Sequence, residues 1–79
     1  MLKLKIVSPE KVVFTGEVKS VLVPGTLGCF EILNDHAPII SSLENGKVEY
    51  TTDAGKTSFE ITGGFVTVKK NEVSLCVEM

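Results

Sequence analysis

The amino-acid sequence predicts an all-β protein, a flattened antiparallel β-sandwich or barrel built from short strands. Apolar residues alternate with polar ones through most of the chain. This alternation is typical of strands that have one face in a core and the other in water. Turn-forming residues interrupt it at short intervals, as they do in sandwiches and barrels. No segment shows the 3.6-residue apolar period of an amphipathic helix.

Four segments show the alternation most clearly and are predicted to be strands: Leu2–Ile6, Val48–Thr52, Thr57–Ile61 and Val73–Val77. In each, the mostly apolar side chains at every second position share the buried face. The turns between strands are marked by glycine, proline and asparagine steps. These steps are Ser8–Pro9–Glu10, Gly16, Asn45–Gly46, Ala54–Gly55, Gly63–Gly64 and Lys70–Asn71. The register from Val18 to Val23 is ambiguous, because its apolar residues do not fit one face.

The segment Val23–Pro38 carries the most unusual residues of the chain. Gly25 and Gly28 are free to take positive φ, and Pro38 forces extended geometry on the residue before it. The segment also holds the single histidine, His36. We expect one long loop here rather than a minimal hairpin connection, and long loops are where binding residues concentrate.

Length and composition restrict the class of protein. The 79 residues make one domain, 1–79, and no apolar run approaches the roughly 20 residues of a membrane helix. The net charge is −2 and the eight basic residues are all lysines, so we expect no nucleic-acid partner. The N-terminus lacks the apolar core of a signal peptide. We therefore expect a cytosolic protein whose two cysteines are reduced thiols.

Candidates for a chemical site are few. Cys29 and His36 could form a thiol–imidazole pair, but no third group is at hand to orient the imidazole. Together with Asp35 they lack the paired spacing of a zinc site. The Gly25-x-x-Gly28 step lacks the Lys-Ser/Thr ending of a phosphate loop. We expect no catalytic residue, no cofactor and no metal, and His36 as a surface or interface residue that hydrogen-bonds a loop backbone.

Some apolar residues fall where alternation does not bury them. Val7, Val13 and Phe65 point away from the main apolar sets of their strands, and Ile39 and Ile40 directly follow the central segment. Single exposed apolar residues are normal in soluble proteins. The alternative is that some of these residues form a contiguous patch that binds a partner protein.

Several motifs, taken in order, resemble one known family, the epsilon subunit of F-type ATP synthases. They are Ile6-Val7-Ser8-Pro9-Glu10, Val12-Val13-Phe14-Thr15-Gly16, Val23-x-Gly25-x-x-Gly28, His36-Ala37-Pro38-Ile39, Leu43-x-x-Gly46, Gly63-Gly64-Phe65-Val66-x-Val68 and Asn71-x-Val73-x-Leu75. The likeness extends over residues 2–78, and the order and spacing of the motifs are more specific than any one of them. The resemblance implies a flattened β-sandwich of about ten short strands, which agrees with the period of two.

The resemblance also implies a function. Members of this family lie in the central stalk of a rotary ATP synthase, where they bridge the gamma subunit and the ring of c subunits and couple ion translocation to ATP synthesis. The implied position is peripheral, at the cytoplasmic face of the inner membrane, without insertion and without catalysis by the subunit itself. By position, the residues expected to face gamma are Ser8, His36, Ala37, Pro38 and Ile39. Those expected to meet the c-ring are Thr26, Leu27, Gly28 and Cys29.

The sequence departs from the family pattern in places. Glu31 stands where many members have glycine, and Asn34–Asp35 replaces Pro-Gly before the histidine. Because Asn and Asp tolerate left-handed geometry, we expect the turn to survive. Met79 directly follows the last predicted strand, so we expect a sandwich that couples but does not regulate, without the helical hairpin of many relatives. The alternative function is a free-standing β-sandwich binding module, for instance for carbohydrate, which the absence of tryptophan disfavours.

Overall fold

The computed structural model describes residues 1–35 and 37–79 and forms nine β-strands within them. In chain order these are β1 Leu2–Val7, β2 Val12–Val18, β3 Ser20–Gly25, β4 Gly28–Leu33, β5 Ile39–Leu43, β6 Gly46–Thr52, β7 Gly55–Ile61, β8 Gly63–Lys69 and β9 Glu72–Glu78. The described residues contain no helix. The predicted all-β class is confirmed, and the four predicted strands lie within β1, β6, β7 and β9.

The strands form one continuous hydrogen-bonded sheet that folds over on itself. Its order is β2-β1-β9-β8-β5-β3-β6-β7, and β4 pairs with the remaining side of β3. We call β2-β1-β9-β8-β5 the first layer and β4-β3-β6-β7 the second layer. The sheet turns the corner between β5 and β6, which only Glu44 and Asn45 separate. The result is a flattened body with extents of 26 × 24 × 18 Å.

A single hydrophobic core fills the space between the two layers. Nearly every strand contributes the apolar residues of one face, as the alternation predicts. The most fully buried side chains are Leu2, Leu4, Ile6, Val18, Val21, Val23, Ile32, Val48, Ile61, Val66, Val68 and Leu75. Where β2 lies over β6, the Phe14 and Tyr50 rings stack with centroids 4.5 Å apart, and Phe59 meets Tyr50 at 6.5 Å. These aromatic side chains cover the side of the core where β2 and β7, the two end strands of the sheet path, are not hydrogen-bonded to each other.

One pairing departs from an antiparallel arrangement. β1 and β9 run parallel, with Leu4 beside Val73 and Ile6 beside Leu75. Parallel neighbours need a long connection between them. Here the parallel pair consists of the first and last strands, so strands β2 to β8 form the connection between them.

The prediction of one long loop over Val23–Pro38 is wrong. β3 runs to its end at Gly25, a turn of Thr26 and Leu27 follows, and β4 then pairs back along β3. The last pair before the turn is Gly25 opposite Gly28, so Thr26 and Leu27 form a minimal two-residue hairpin turn. Between β4 and β5, the described residues outside strands are Asn34, Asp35, Ala37 and Pro38, and His36 lies outside the described residues.

The glycines and the short apolar pattern of β4 explain this hairpin. Ile32 is buried and Phe30 packs against the core, so β4 keeps a period of two. A Cβ at Gly25 would lie 2.8 Å from both the Gly28 carbonyl oxygen and the Phe30 ring. Gly28 has φ 131°, which favours glycine. Gly25 is therefore required by close approach and Gly28 by its backbone conformation.

The ambiguous segment between Val18 and Val23 is a crossing from one layer to the other. β2 ends at Val18, a bend at Lys19 follows, and β3 begins at Ser20. Both Val18 and Val21 are fully buried because they approach the core from different layers. The Lys19 backbone N–H donates to the Thr51 carbonyl oxygen at 2.7 Å. No single strand face could accommodate these valines, which is why the register could not be read.

A β-bulge reverses the expectation for Val13. Ile6 pairs with Phe14 whereas Val7 pairs with Val12, so Val13 is an extra residue in β2. Its side chain packs against the core instead of pointing away from it. The expectation that Val13 is turned outward is therefore wrong.

The adjacent glycines at the start of β8 offer a matched test of this fold. A Cβ at Gly64 would press on the Cys76 carbonyl oxygen and lie 2.9 Å from the Val77 Cα, and Gly64 has φ 147°. We expect Gly64→Ala to lower the free energy of unfolding by about 2–4 kcal/mol. Urea unfolding followed by circular dichroism measures this value.

Gly63→Ala is the control, because its nearest contact would be the Leu43 carbonyl oxygen at an ordinary 3.8 Å. We expect a change in unfolding free energy of less than about 0.5 kcal/mol. Equal effects of the two substitutions would contradict the register of β8 against β9.

Candidate functional site

The outward side of the first layer carries a line of apolar side chains across four strands. Val12 of β2 is paired with Val7 of β1, Val7 with Cys76 of β9, and Cys76 with Phe65 of β8. Directly paired residues place their side chains on the same face of a sheet. Val12 is 57% and Phe65 48% exposed, while Val7 and Cys76 are half-buried. We call these four residues the outer row.

The outer row has further apolar neighbours on the first layer. Ile40 of β5, 77% exposed, lies diagonally next to Phe65, because Phe65 is opposite Ser42. Pro9, which follows β1, joins Val7, Cys76 and Phe65 in lining a shallow groove. Val7, Phe65 and Ile40 of the sequence-derived patch are thus brought onto one face. Ile39 and Val13 are not part of it, since both pack against the core.

The outward side of the second layer has a different chemistry. Its corresponding cross-strand line runs through Glu31, Leu22, Glu49 and Ser58. Two carboxylates therefore flank the single apolar side chain, which is 37% exposed. The contiguous apolar surface lies on the first layer, and surfaces of that kind mark protein contacts.

The β3–β4 hairpin projects beside the outer row. Its residues from Thr26 to Cys29 are all exposed, and the side chain of Leu27 is fully in solvent. The Thr26 backbone N–H donates to the Ser42 carbonyl oxygen at 3.1 Å, and Ser42 is the cross-strand partner of Phe65. The four residues predicted to meet a c-ring therefore form one uncharged tip at the β5 edge of the outer row.

The residues predicted to face gamma lie at two corners of the first layer. Ser8 follows β1, where its backbone N–H donates to the Lys11 carbonyl oxygen at 2.9 Å. Ala37 and Pro38 are exposed and precede β5 at the opposite end of the strands. From Ser8 to Ile39, the first residue of β5, strand geometry gives about 14 Å across the sheet and about 13 Å along it. Of the two other residues predicted to face gamma, Ile39 is half-buried against the core and His36 lies outside the described residues.

The described residues hold little that could perform chemistry. Within residues 1–35 and 37–79 no group of three His, Cys, Asp or Glu side chains could hold a metal ion. Cys29, on the exposed tip, and Cys76, half-buried in the outer row, are free thiols. The hypotheses that join Cys29 to His36 involve a residue outside the described part. Asp35 has φ 63°, which confirms that the Asn34–Asp35 step turns the chain in left-handed geometry.

In the part of the chain that the structure describes, no helix is long and apolar enough to cross a bilayer.

Together, the fold and this surface define a small β-sandwich that presents protein-contact surfaces, an apolar row and a projecting hairpin. Comparison with known proteins identifies its family. A family model described as the β-sandwich domain of the ATP synthase Delta/Epsilon chain matches residues 1–79. The chain belongs to this family, as the order of the sequence motifs indicated.

Curated relatives carry the name ATP synthase epsilon chain. The chain is 46% identical to that of Chlorobium limicola over 77 residues, which cover 96% of this chain and 88% of the relative. It is 42% identical to that of Chlorobaculum tepidum, covering 95% of this chain and 86% of the relative. For a Leptospira interrogans relative, 39% identical, the matched region spans only 61% of the relative.

Solved structures with this fold come from mitochondrial ATP synthases. One chain of the Euglena gracilis enzyme superimposes with a TM-score of 0.92 at 21% identity, covering 99% of this chain and 51% of that one. A chain from the central stalk and c-ring of the Tetrahymena thermophila enzyme gives a TM-score of 0.86 at 16% identity, covering 99% of this chain and 63% of that one. At these identities the likeness shows the fold alone.

The two thiols provide a test of the described surface. We expect Cys29 to react with a small maleimide on the order of tenfold faster than Cys76 in the folded chain, because Cys29 is exposed whereas Cys76 is half-buried between its cross-strand neighbours Val7 and Phe65. Mass spectrometry of the time course measures both rates, and in denaturant they become similar. Equal rates in the folded chain, or a disulfide in freshly unfolded protein, would contradict this arrangement.

Proposed function

We propose that this chain is a coupling element of the central stalk of a rotary ATP synthase. In this role it joins the gamma subunit to the ring of c subunits and turns with them, without catalysing a reaction itself. Membership of the Delta/Epsilon family over residues 1–79 supports the proposal. So does the likeness to the epsilon chains of Chlorobium limicola and Chlorobaculum tepidum, most of whose length this chain matches.

The observation that carries the proposal is the outer row with the hairpin tip at its end. An interface of standard size takes about 800 Å² from each partner. That is roughly a sixth of this chain's surface of 4823 Å². An interface of standard size would therefore occupy a large part of one face of this domain.

The two surfaces suit two partners of different chemistry. The apolar outer row is suited to gamma, with Ser8 on one rim and the Ala37–Ile39 segment on the other. The hairpin tip is small, uncharged and prominent, which is suited to the polar loops of a c-ring. The tip belongs to the second layer, but the hydrogen bond of Thr26 to Ser42 ties it to the β5 edge of the first layer, which carries the outer row.

Coupling requires a body that does not bend under load. Three hairpins in the described residues close with two-residue turns, at Thr26–Leu27, Asp53–Ala54 and Lys70–Asn71. All nine strands also belong to one hydrogen-bonded sheet around one core. A force applied at the tip is thus transmitted to the outer row through backbone hydrogen bonds. This role places the chain peripherally, at the cytoplasmic face of the coupling membrane.

Phe65 provides the sharpest test of the gamma contact. Because its side chain is 48% exposed, Phe65→Ser removes apolar contact area without emptying the core. We expect the Kd for gamma, measured by titration calorimetry, to rise at least about tenfold, as for a residue near the centre of an interface. The circular dichroism spectrum and urea midpoint should change little.

Leu33→Ser is the matched control, since Leu33 is 52% exposed at the end of β4 in the second layer. It should leave the Kd for gamma unchanged. If both variants bind gamma like the wild type, the outer row is not the gamma-binding surface.

Reconstitution tests the coupling role itself. Omission of this chain from vesicles that contain the remaining subunits should abolish or sharply reduce ATP-driven ion pumping, because gamma and the ring lose their connection. Its addition to a catalytic head containing gamma should leave ATP hydrolysis nearly unchanged. A subunit that switches hydrolysis off needs an element with two arrangements, whereas the described strands form one sheet around one core. Strong inhibition of hydrolysis by this chain, or full pumping without it, would refute the proposed role.

A further inference from the structure

The turn between β8 and β9 is anchored at two distant points of the fold. The Lys3 backbone N–H donates to the Asn71 carbonyl oxygen at 2.7 Å. The Asp35 backbone N–H donates to Oδ1 of the Asn71 side chain, also at 2.7 Å. Asn71 therefore ties the loop between β4 and β5 to the ends of β1, β8 and β9. Asn71 is half-buried and Asp35 is exposed.

The backbone on both sides of this hydrogen bond is in an uncommon conformation. Asp35 has φ 63° and Lys70, next to Asn71, has φ 55°. Within the described residues these are the two non-glycine positions with positive φ. Side chains other than glycine persist there only where the surrounding structure determines the conformation. The Asp35–Asn71 hydrogen bond joins the two strained turns and provides that support.

We propose that Asn71 is a positioning residue that fixes the loop between β4 and β5 against the first layer. Because Ala37 is only two positions after Asp35 in the chain, holding Asp35 restricts where Ala37 and Pro38 can lie at the corner of the contact face. The proposal rests on the proposed function for the identity of the partner that uses this corner. The anchoring itself depends only on the hydrogen bonds of Asn71.

The chemistry of the side chain at position 71 is specific. The Asp35 N–H needs an acceptor on a side chain of this length, which an alanine lacks. An aspartate keeps an oxygen at the same distance from the backbone. Asn71→Ala therefore tests the loss of the acceptor oxygen, and Asn71→Asp controls for the effect of a substitution that keeps this oxygen. Asn45→Ala, in the exposed corner between β5 and β6, controls for a turn asparagine at another site.

Amide hydrogen exchange of the 79-residue chain, measured by NMR, tests the anchoring directly. In Asn71→Ala we expect protection of the Asp35 amide to fall roughly five- to tenfold, as for loss of one hydrogen bond. Protection of the Lys3 amide should persist, because its acceptor is the Asn71 backbone. Asn71→Asp and Asn45→Ala should keep both amides within about twofold of wild type. Unchanged Asp35 protection in Asn71→Ala, or equal loss at Lys3 and Asp35, would overturn the proposal.

Binding to isolated gamma tests the consequence for the contact face. The Kd of Asn71→Ala should rise at least about threefold, and those of Asn71→Asp and Asn45→Ala should match wild type. Wild-type affinity in a variant whose Asp35 amide has lost protection would overturn the positioning role. Absence of gamma binding by the wild-type chain would instead refute the proposed function, and the exchange results alone would then decide whether Asn71 anchors the loop.

Discussion

The backbone pairing of β3 along both sides of the corner between β5 and β6 holds this fold together. β3 pairs with β6 through Leu22 opposite Glu49 and with β5 through Gly25 opposite Leu43. At the corner itself, the Glu44 backbone N–H donates to the Pro24 carbonyl oxygen at 2.9 Å. One strand thereby belongs to both layers. Without this shared strand, no ladder of backbone hydrogen bonds would join the two layers over the core.

The same corner positions the surfaces that carry the proposed function. Because β3 ends at the corner, its hairpin with β4 must project beyond the edge of β5, where Thr26 is hydrogen-bonded to Ser42. Ser42 in turn lies opposite Phe65, at the end of the outer row. Close contacts leave no room for side chains at Gly25, next to Phe30, or at Gly46, next to Pro24. Core and contact surface are therefore two sides of the same strands, and stability and coupling depend on one set of hydrogen bonds.

Sequence periodicity predicted the strands correctly wherever one face is buried in the core and the other is exposed to solvent. It succeeded for β1 and β9, because lysines separate the buried residues of β1, and Ser74 and Cys76 separate those of β9. It failed for β4, in which only Phe30 and Ile32 face inward and the preceding glycines suggested a loop. It also failed for Val13, because a bulge adds one residue and turns the following side chains to the other face. The parallel pairing of β1 with β9 was not predicted, since alternation shows that a strand exists but not which strand lies beside it.

By itself, the sequence determined the all-β class, the faces of the regular strands and the family, because these depend on local alternation and on motifs in order. It also showed that Phe65 cannot face the core if Val66 does. Only the tertiary structure decided that Phe65, Cys76, Val7 and Val12 form one row, because their pairing joins residues from both ends of the chain. The hydrogen bond from Asp35 to Asn71 is likewise invisible in either segment alone. Contact surfaces of this kind are created by strand register, and register is fixed by the burial of the whole core at once.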